Sequence, residues 1–168
     1  MAGPAEPTVR HSRGMNLKRM LLMAIGGLVL AGCASAPISS PSRVAIGERT
    51  MTVYRSPDCS CCHAWADIAR RAGWAVATVD VTDMTAFKTE HGVPSTAQSC
   101  HTVLVGDYFV EGHVPLAALD MLLAERPAID GIALPGMPAG SPGMGGPQAA
   151  SFEVLAITNG VATVFGSY

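Results

Sequence analysis

Aromatic side chains make up only 5% of this 168-residue chain, and charged ones only 14%. So few large rings leave material for one modest core, while 18 Gly and 12 Pro point to long irregular stretches. A basic patch is also missing: 11 Lys and Arg stand against 13 Asp and Glu, a formal charge of −2, which argues against a nucleic-acid partner. No nucleophile elbow, phosphate-binding glycine loop or paired-carboxylate site occurs, so the common hydrolase and nucleotide chemistries have no carrier. The one pronounced apolar run, Met20 to Leu30, is too short to span a bilayer.

That run reads instead as an export signal. Lys18 and Arg19 precede it, and Leu30-Ala31-Gly32-Cys33 follows it in the manner of a bacterial lipobox, whose cysteine is acylated after cleavage. The expected organisation is a signal segment over residues 1–32, starting from Met1 or Met15. A Ser/Pro/Ala-rich tether follows over 33–49, then a domain over 50–168. This implies a protein of the bacterial periplasm, held to the outer membrane through lipid on Cys33. Cleavage removes Arg10, Arg13, Lys18, Arg19 and Glu6, leaving 7 basic and 12 acidic side chains and a formal charge of −5.

Four thiols then remain, Cys59, Cys61, Cys62 and Cys100, in a compartment that permits disulfides. Three of them fall within four residues, where a disulfide closes too small a loop to staple a fold. Their surroundings read as a fold. Thr50–Ser56 is a strand broken by Pro57-Asp58, and Trp65, Ile68, Ala69 and Ala72 mark one face of a helix ending at Gly73. Trp74–Val81 is a second strand, and Asp83 caps a short helix carrying Met84 and Phe87. Ser99–Val105 and Tyr108–Gly112 form a hairpin turned at Gly106-Asp107. Pro115 opens a helix with Leu116, Leu119, Leu122 and Leu123 on one face. Residues 131–149 read as irregular, and a hairpin turning at Asn159-Gly160 ends the chain. Trp65, Trp74, Met51, Met84 and Met121 are expected in the core. This order predicts an α/β, thioredoxin-like fold: a mixed central sheet flanked by helices, with a C-terminal hairpin and a Gly/Pro/Met-rich loop.

In that fold a C-x-x-C pair sits between the first strand and the first helix, where Cys59 and Cys62 stand. A helix N-terminus lowers a thiol pKa, and the thiolate is both a redox nucleophile and a soft-metal ligand; Asp58 opposes the shift. Cys61 argues against a simple redox pair, because it would scramble a Cys59–Cys62 disulfide. The start of the third strand normally abuts this site through a cis-proline, and here His101 takes that place beside Cys100. The thiols and His101 would then converge, a donor set suited to Cu(I), Zn(II) or an iron–sulfur centre; His113, after Glu111-Gly112, reads equally as a further ligand or as a strand-end residue. Met137 and Met144, in P-G-M-P-A-G-S-P-G-M, have no apolar periodicity to bury them, and thioethers favour Cu(I) over zinc. Gap-filling against the sheet is the plainer role for both. His63 completes a C-x-x-C-H haem-attachment pattern, but a strand-first context does not suit a cytochrome. It otherwise reads as an exposed first-turn residue, and His91 as a partner for a helix C-terminus.

The segments V-Y-R-S-P-D-C-S-C-C-H-A-W, G-V-P, S-C-H-T, E-G-H-V-P and P-G-M-P-A-G-S-P-G-M together resemble the CopG-type periplasmic copper proteins, a family long catalogued without a function. The resemblance runs over about residues 50–168. It implies a thioredoxin-like fold, a C-x-C-C copper site and an association with copper and silver resistance. On that basis Cys59, Cys61, Cys62, Cys100, His101, His113, Met137 and Met144 are the metal ligands. Ser60 stands where the family often has Gly, and the lipobox is an addition to the soluble exported form.

Three functions follow for test. The first is Cu(I) binding, for sequestration or delivery to an efflux protein, with copper redox chemistry as an extension. The second is a thiol-disulfide oxidoreductase using Cys59 and Cys62 as catalytic residues. The third is a zinc-stabilised structural module. Copper is the favoured cofactor, zinc the alternative.

Overall fold

The structure is a computed structural model, and it describes residues 49–168. The expected signal segment, Cys33 and residues 34–48 of the tether lie outside the described residues. Among the described residues no helix is long and apolar enough to cross a membrane.

Strand β1 (Thr50–Arg55) alternates, with Met51, Val53 and Arg55 turned inward. Helix α1 (Ser60–Arg71) buries Cys62, Trp65, Ala66 and Ala69, positions spaced to share one face, and its last turn carries Arg70 and Arg71 against the negative end of the dipole. Strand β2 (Ala75–Asp80) returns parallel to β1. Helix α2 (Met84–Glu90) opens on Asp83, whose carboxylate accepts the Ala86 N–H at 2.9 Å, and closes at His91. A single 3₁₀ turn over Ser95–Ala97 leads to the hairpin of β3 (Thr102–Val105) and β4 (Tyr108–Glu111). Helix α3 (Leu116–Glu125) starts after Pro115 and buries Ala118, Leu119 and Leu122.

Strand β5 (Gly131–Ala133) corrects the reading of 131–149 as wholly irregular: it pairs parallel to β4 and antiparallel to β6. All three of its residues are buried, so it carries no alternation, and it runs straight into the Gly/Pro-rich loop. Strands β6 (Glu153–Thr158) and β7 (Val161–Ser167) form the final hairpin, turning at Asn159-Gly160 with φ of 50° and 77°. The result is a seven-stranded mixed sheet, ordered β2-β1-β3-β4-β5-β6-β7, with three α-helices.

Successive side chains of β3, β4 and β5 point to opposite faces of the sheet, both covered, and so divide the core in two. Val103, Val110 and Ile132 join Trp65, Leu119 and Leu122 of α1 and α3 in the larger cluster. Phe109, Ala133 and Ile157 meet Val93 and Ala97 in the smaller one. Trp65 anchors the first: it is fully buried and its indole N–H donates to the Val114 carbonyl at 3.0 Å. Truncating such a ring to Ala costs about 3–5 kcal/mol. Trp74 and Met51 are buried as expected. Met121 is not: it lies on the outer side of α3, 44% exposed, because the buried stripe runs through Ala118 and Leu122.

Candidate metal centre

Two segments outside regular structure bring the cysteines together. The first leaves β1 at Arg55, a buried side chain whose guanidinium donates to the Ser56 carbonyl at 3.0 Å and the Pro57 carbonyl at 2.9 Å, and pairs with Asp80 at 2.8 Å. Its fixed fork of donors holds the loop that delivers Cys59 to the N-cap of α1. There the Cys59 sulfur accepts the Cys62 N–H at 3.3 Å and is joined to Cys62 in a disulfide; Cys61 and Cys100 are free thiols. The second segment, Ser99–His101, was expected to open the third strand. It bends instead, so that β3 begins only at Thr102, and the bend carries Cys100 into the cluster.

The Cys100 sulfur lies 3.0 Å from that of Cys59, 3.3 Å from that of Cys61 and 3.3 Å from that of Cys62, with Cys59 and Cys61 3.5 Å apart. All four sulfurs fall within 4.8 Å of one another. Burial, then the hydrogen bond and charge of Cys61, push the Cys100 thiol up to about 12, against the opposing pull of Lys88. The metal-free Cys100 thiol is thus held in its protonated form, and a cation that binds its sulfur displaces that proton.

A second donor group shares Cys100. One ring nitrogen each of His101 and His113 lies with that sulfur inside the same 4.8 Å limit, and both imidazoles are fully buried. Their rings meet edge-on at 4.9 Å, and the Trp65 ring lies 5.1 Å from His101. Burial first, then the charges of His113 and Lys88, lower His101 to about 3, and burial lowers His113 as well. Both rings are therefore neutral at pH 7 and have lone pairs to offer. Nδ1 of His113 lies 2.7 Å from the Pro142 carbonyl and must carry the proton there, which leaves Nε2 as the basic nitrogen. That Nε2 and both nitrogens of His101 have no partner among the described residues. Buried polar atoms without partners are rare, and a soft cation would take one lone pair from each ring, leaving the second His101 nitrogen as an N–H donor.

The methionine loop closes against this group through its backbone. Pro142 offers its carbonyl to His113, and Gly143 lies so close to α1 that a Cβ there would be 2.8 Å from the Cys61 carbonyl oxygen and 2.8 Å from the Trp65 nitrogen. Met144 is half-buried beside that contact, whereas the Met137 side chain is 56% exposed. The structure therefore brings together Cys59, Cys61, Cys62, Cys100, His101 and His113, and seats the loop carrying the two thioethers at their edge. His63 is exposed, and His91 sits at the C-cap of α2, its Nδ1 2.8 Å from the Phe87 carbonyl.

Sequence reasoning missed three charged residues here: Arg55, Lys88 and Glu111, all buried. Their signals were present but faint. Lys88 follows Phe87 on the inward side of α2, Glu111 ends the apolar run Y-F-V-E, and Arg55 falls on the inward beat of β1.

The family described as protein of unknown function, DUF411, matches residues 97–144, the span that holds Cys100, His101, His113, Met137 and Met144. No curated protein matches the chain. Two solved structures do, titled copper resistance protein copG, forms 1 and 2. They are 40% and 39% identical, with TM-scores of 0.65 and 0.64; each match covers 71% of this chain and 96% and 97% of theirs. With that identity over nearly the whole length of the solved relatives, and a sulfur and imidazole cluster able to hold a metal, the chain belongs to the CopG-type copper-resistance family.

Proposed function

We propose that this protein binds Cu(I) as cargo through Cys59, Cys61, Cys62 and Cys100, with His101 and His113 completing the donor set and Met144 and Met137 at its rim. The observation that carries this is the convergence on Cys100 of three further sulfurs and two neutral imidazoles, each with a nitrogen that has no partner among the described residues, all buried or half-buried. Thiolate and imidazole together suit Cu(I) and Zn(II), and thioethers tip the choice toward copper, as do relatives titled copper resistance proteins. The fold is read as thioredoxin-like, on the strength of C-x-x-C spacing at the junction of β1 and α1.

Copper loading requires thiolates. The Cys59–Cys62 disulfide must first take two electrons and two protons from an external dithiol, which leaves as its own disulfide, and the freed thiols then lose protons to the incoming ion. The setting we propose is the periplasm, with the lipobox at Cys33 as anchor and a copper efflux protein as recipient. Anaerobic titration of reduced protein against a chromophoric Cu(I) chelator tests the binding. Tight Cu(I) binding that weakens sharply in Cys59→Ser or Cys62→Ser is expected. Copper-loaded protein whose Cys→Ser variants keep their full metal content would falsify this reading.

The disulfide itself favours a second reading, a thiol-disulfide oxidoreductase in which Cys59 and Cys62 exchange electrons with a substrate disulfide. Turnover of insulin disulfides without metal would support it; redox activity seen only with copper bound would confine the chemistry to copper. A zinc-stabilised module is separated from both by chelation, which should unfold it.

A further inference from the structure

A complete ion pair lies inside the protein: Lys88 of α2 is 3% exposed and Glu111 of β4 is 0% exposed. Burial of two opposite charges is costly, and well-packed apolar residues usually serve stability as well or better. The pair therefore has to be explained by what else it touches.

Every acceptor position that Glu111 uses points at one short segment or at Lys88. Oε1 accepts the Ser99 N–H at 2.6 Å and also the Lys88 ammonium, while Oε2 accepts the Thr102 hydroxyl at 2.6 Å. Lys88 donates to that same hydroxyl oxygen at 3.3 Å. Ser99 and Thr102 are the immediate flanks of Cys100 and His101. Between those flanks the backbone is in no strand, so the sheet ladder does not fix it. The next residue of β4 adds a third hold, since the Gly112 N–H donates to the His101 carbonyl at 2.8 Å. Gly112 has φ of 78°, and a Cβ on it would meet the Ser99 side chain and the Leu134 carbonyl. Glu111, Gly112 and His113 thus act in sequence: one grips the flanks, one grips the backbone, and one supplies the facing imidazole.

We infer that Lys88 and Glu111 are positioning residues for the copper ligands Cys100 and His101. This rests on the reading of the cluster as a Cu(I) site. The carboxylate clamps both shoulders of the ligand pair, and the ammonium holds the carboxylate in place. Neither residue touches the metal. Groups that orient ligands from outside the coordination shell typically govern metal affinity by about 10- to 100-fold, and this pair acts through the residues on either side of the ligands.

The test is the double variant Lys88→Met/Glu111→Leu, which removes both charges and so strands neither. Reduced, metal-free protein should melt as the wild type does. Its Ser99 amide should exchange faster, and iodoacetamide should alkylate Cys100 faster relative to Cys61. Anaerobic Cu(I) affinity should fall by about 10- to 100-fold. In a Cys100→Ser/His101→Ala background the same double variant should cost nothing further, because the ligands it positions are gone. Lys88→Met/Glu111→Gln, equally neutral but retaining an oxygen for the Ser99 N–H, should recover most of the affinity. If the apolar variant does not fold, Thr102→Val replaces it. It releases one shoulder of the clamp, so Cu(I) affinity should fall by less than in the double variant and Cys100 should alkylate faster relative to Cys61. No change in either would overturn the proposal. Unchanged affinity, an equal loss in the ligand-free background, or failure of the Gln variant to recover would each overturn the proposal. Wild-type protein that binds no Cu(I) would remove the copper reading alone, since Ser99 exchange and Cys100 alkylation report the clamp without metal.

Discussion

Reduction of the Cys59–Cys62 disulfide is the perturbation that the proposed copper loading demands, and its cost to the fold follows from the loop it closes. The two cysteines are 3 residues apart. Loop-closure entropy for so short a segment amounts to about 2 kcal/mol at 25 °C. That figure is a ceiling, because the loop is one turn of α1 whose backbone hydrogen bonds already hold it. Against it stand the buried Trp65, Leu119, Leu122, Val103 and Val110 and a seven-stranded sheet, none of which depends on the bond. A domain of this size has a stability of about 5–15 kcal/mol, so the reduced protein stays folded. At about 4 °C of melting temperature per kcal/mol, reduction should lower the midpoint by no more than about 8 °C. Far-UV circular dichroism melts of metal-free protein, with and without a phosphine reductant, measure this directly. A drop beyond about 15 °C, or loss of a cooperative transition, would show that the fold needs the bond and that the reasoning is wrong.

Two further outcomes follow from the site. Burial holds the folded-state pKa of His101 at about 3 and that of His113 below 6.5, so the native state prefers neutral rings and the unfolded state binds more protons. That contribution is complete above pH 6.5 and is lost as pH falls from there toward about 3. Urea denaturation of the reduced, metal-free protein should show the decline, and His101→Leu should flatten it; parallel slopes for the two proteins would contradict it. Gly143→Val places a branched side chain at φ of 85° against Cys61 and Trp65, and should destabilise the protein by about 1–3 kcal/mol. The urea midpoint should fall at constant slope, and an unchanged midpoint would mean that the loop does not dock there.

How much of this was legible in the sequence depended on whether a residue's neighbours were near it along the chain. The elements around Trp65, Leu119 and Asn159-Gly160 were readable because their signals are local: a 3.6-residue apolar face, a Pro-started helix, a turn dipeptide. The thiols were readable because three stand within four residues. Cys100, His101 and His113 could be set beside Cys59 only by assuming a fold, since nothing local ties position 100 to position 59. Strand β5 escaped because a three-residue buried strand has no period to display. The role of Glu111 escaped for a different reason: its partners are 9, 12 and 23 residues away, and only the pairing of β3 with β4 and the docking of α2 bring them together.

The β3–β4 hairpin turns the proposed copper site into a question of counting. Thr102 faces Glu111 in the ladder, so Cys100 and His101 just before the hairpin and His113 just after it meet only because both arms have matching lengths. A single residue added or lost between positions 103 and 110 would leave every ligand in the sequence. Yet it would set Gly112 or Val110 opposite Thr102 and swing the carboxylate to the other face of the sheet. The proposed ligand set is therefore encoded as much in a spacing as in its cysteines and histidines.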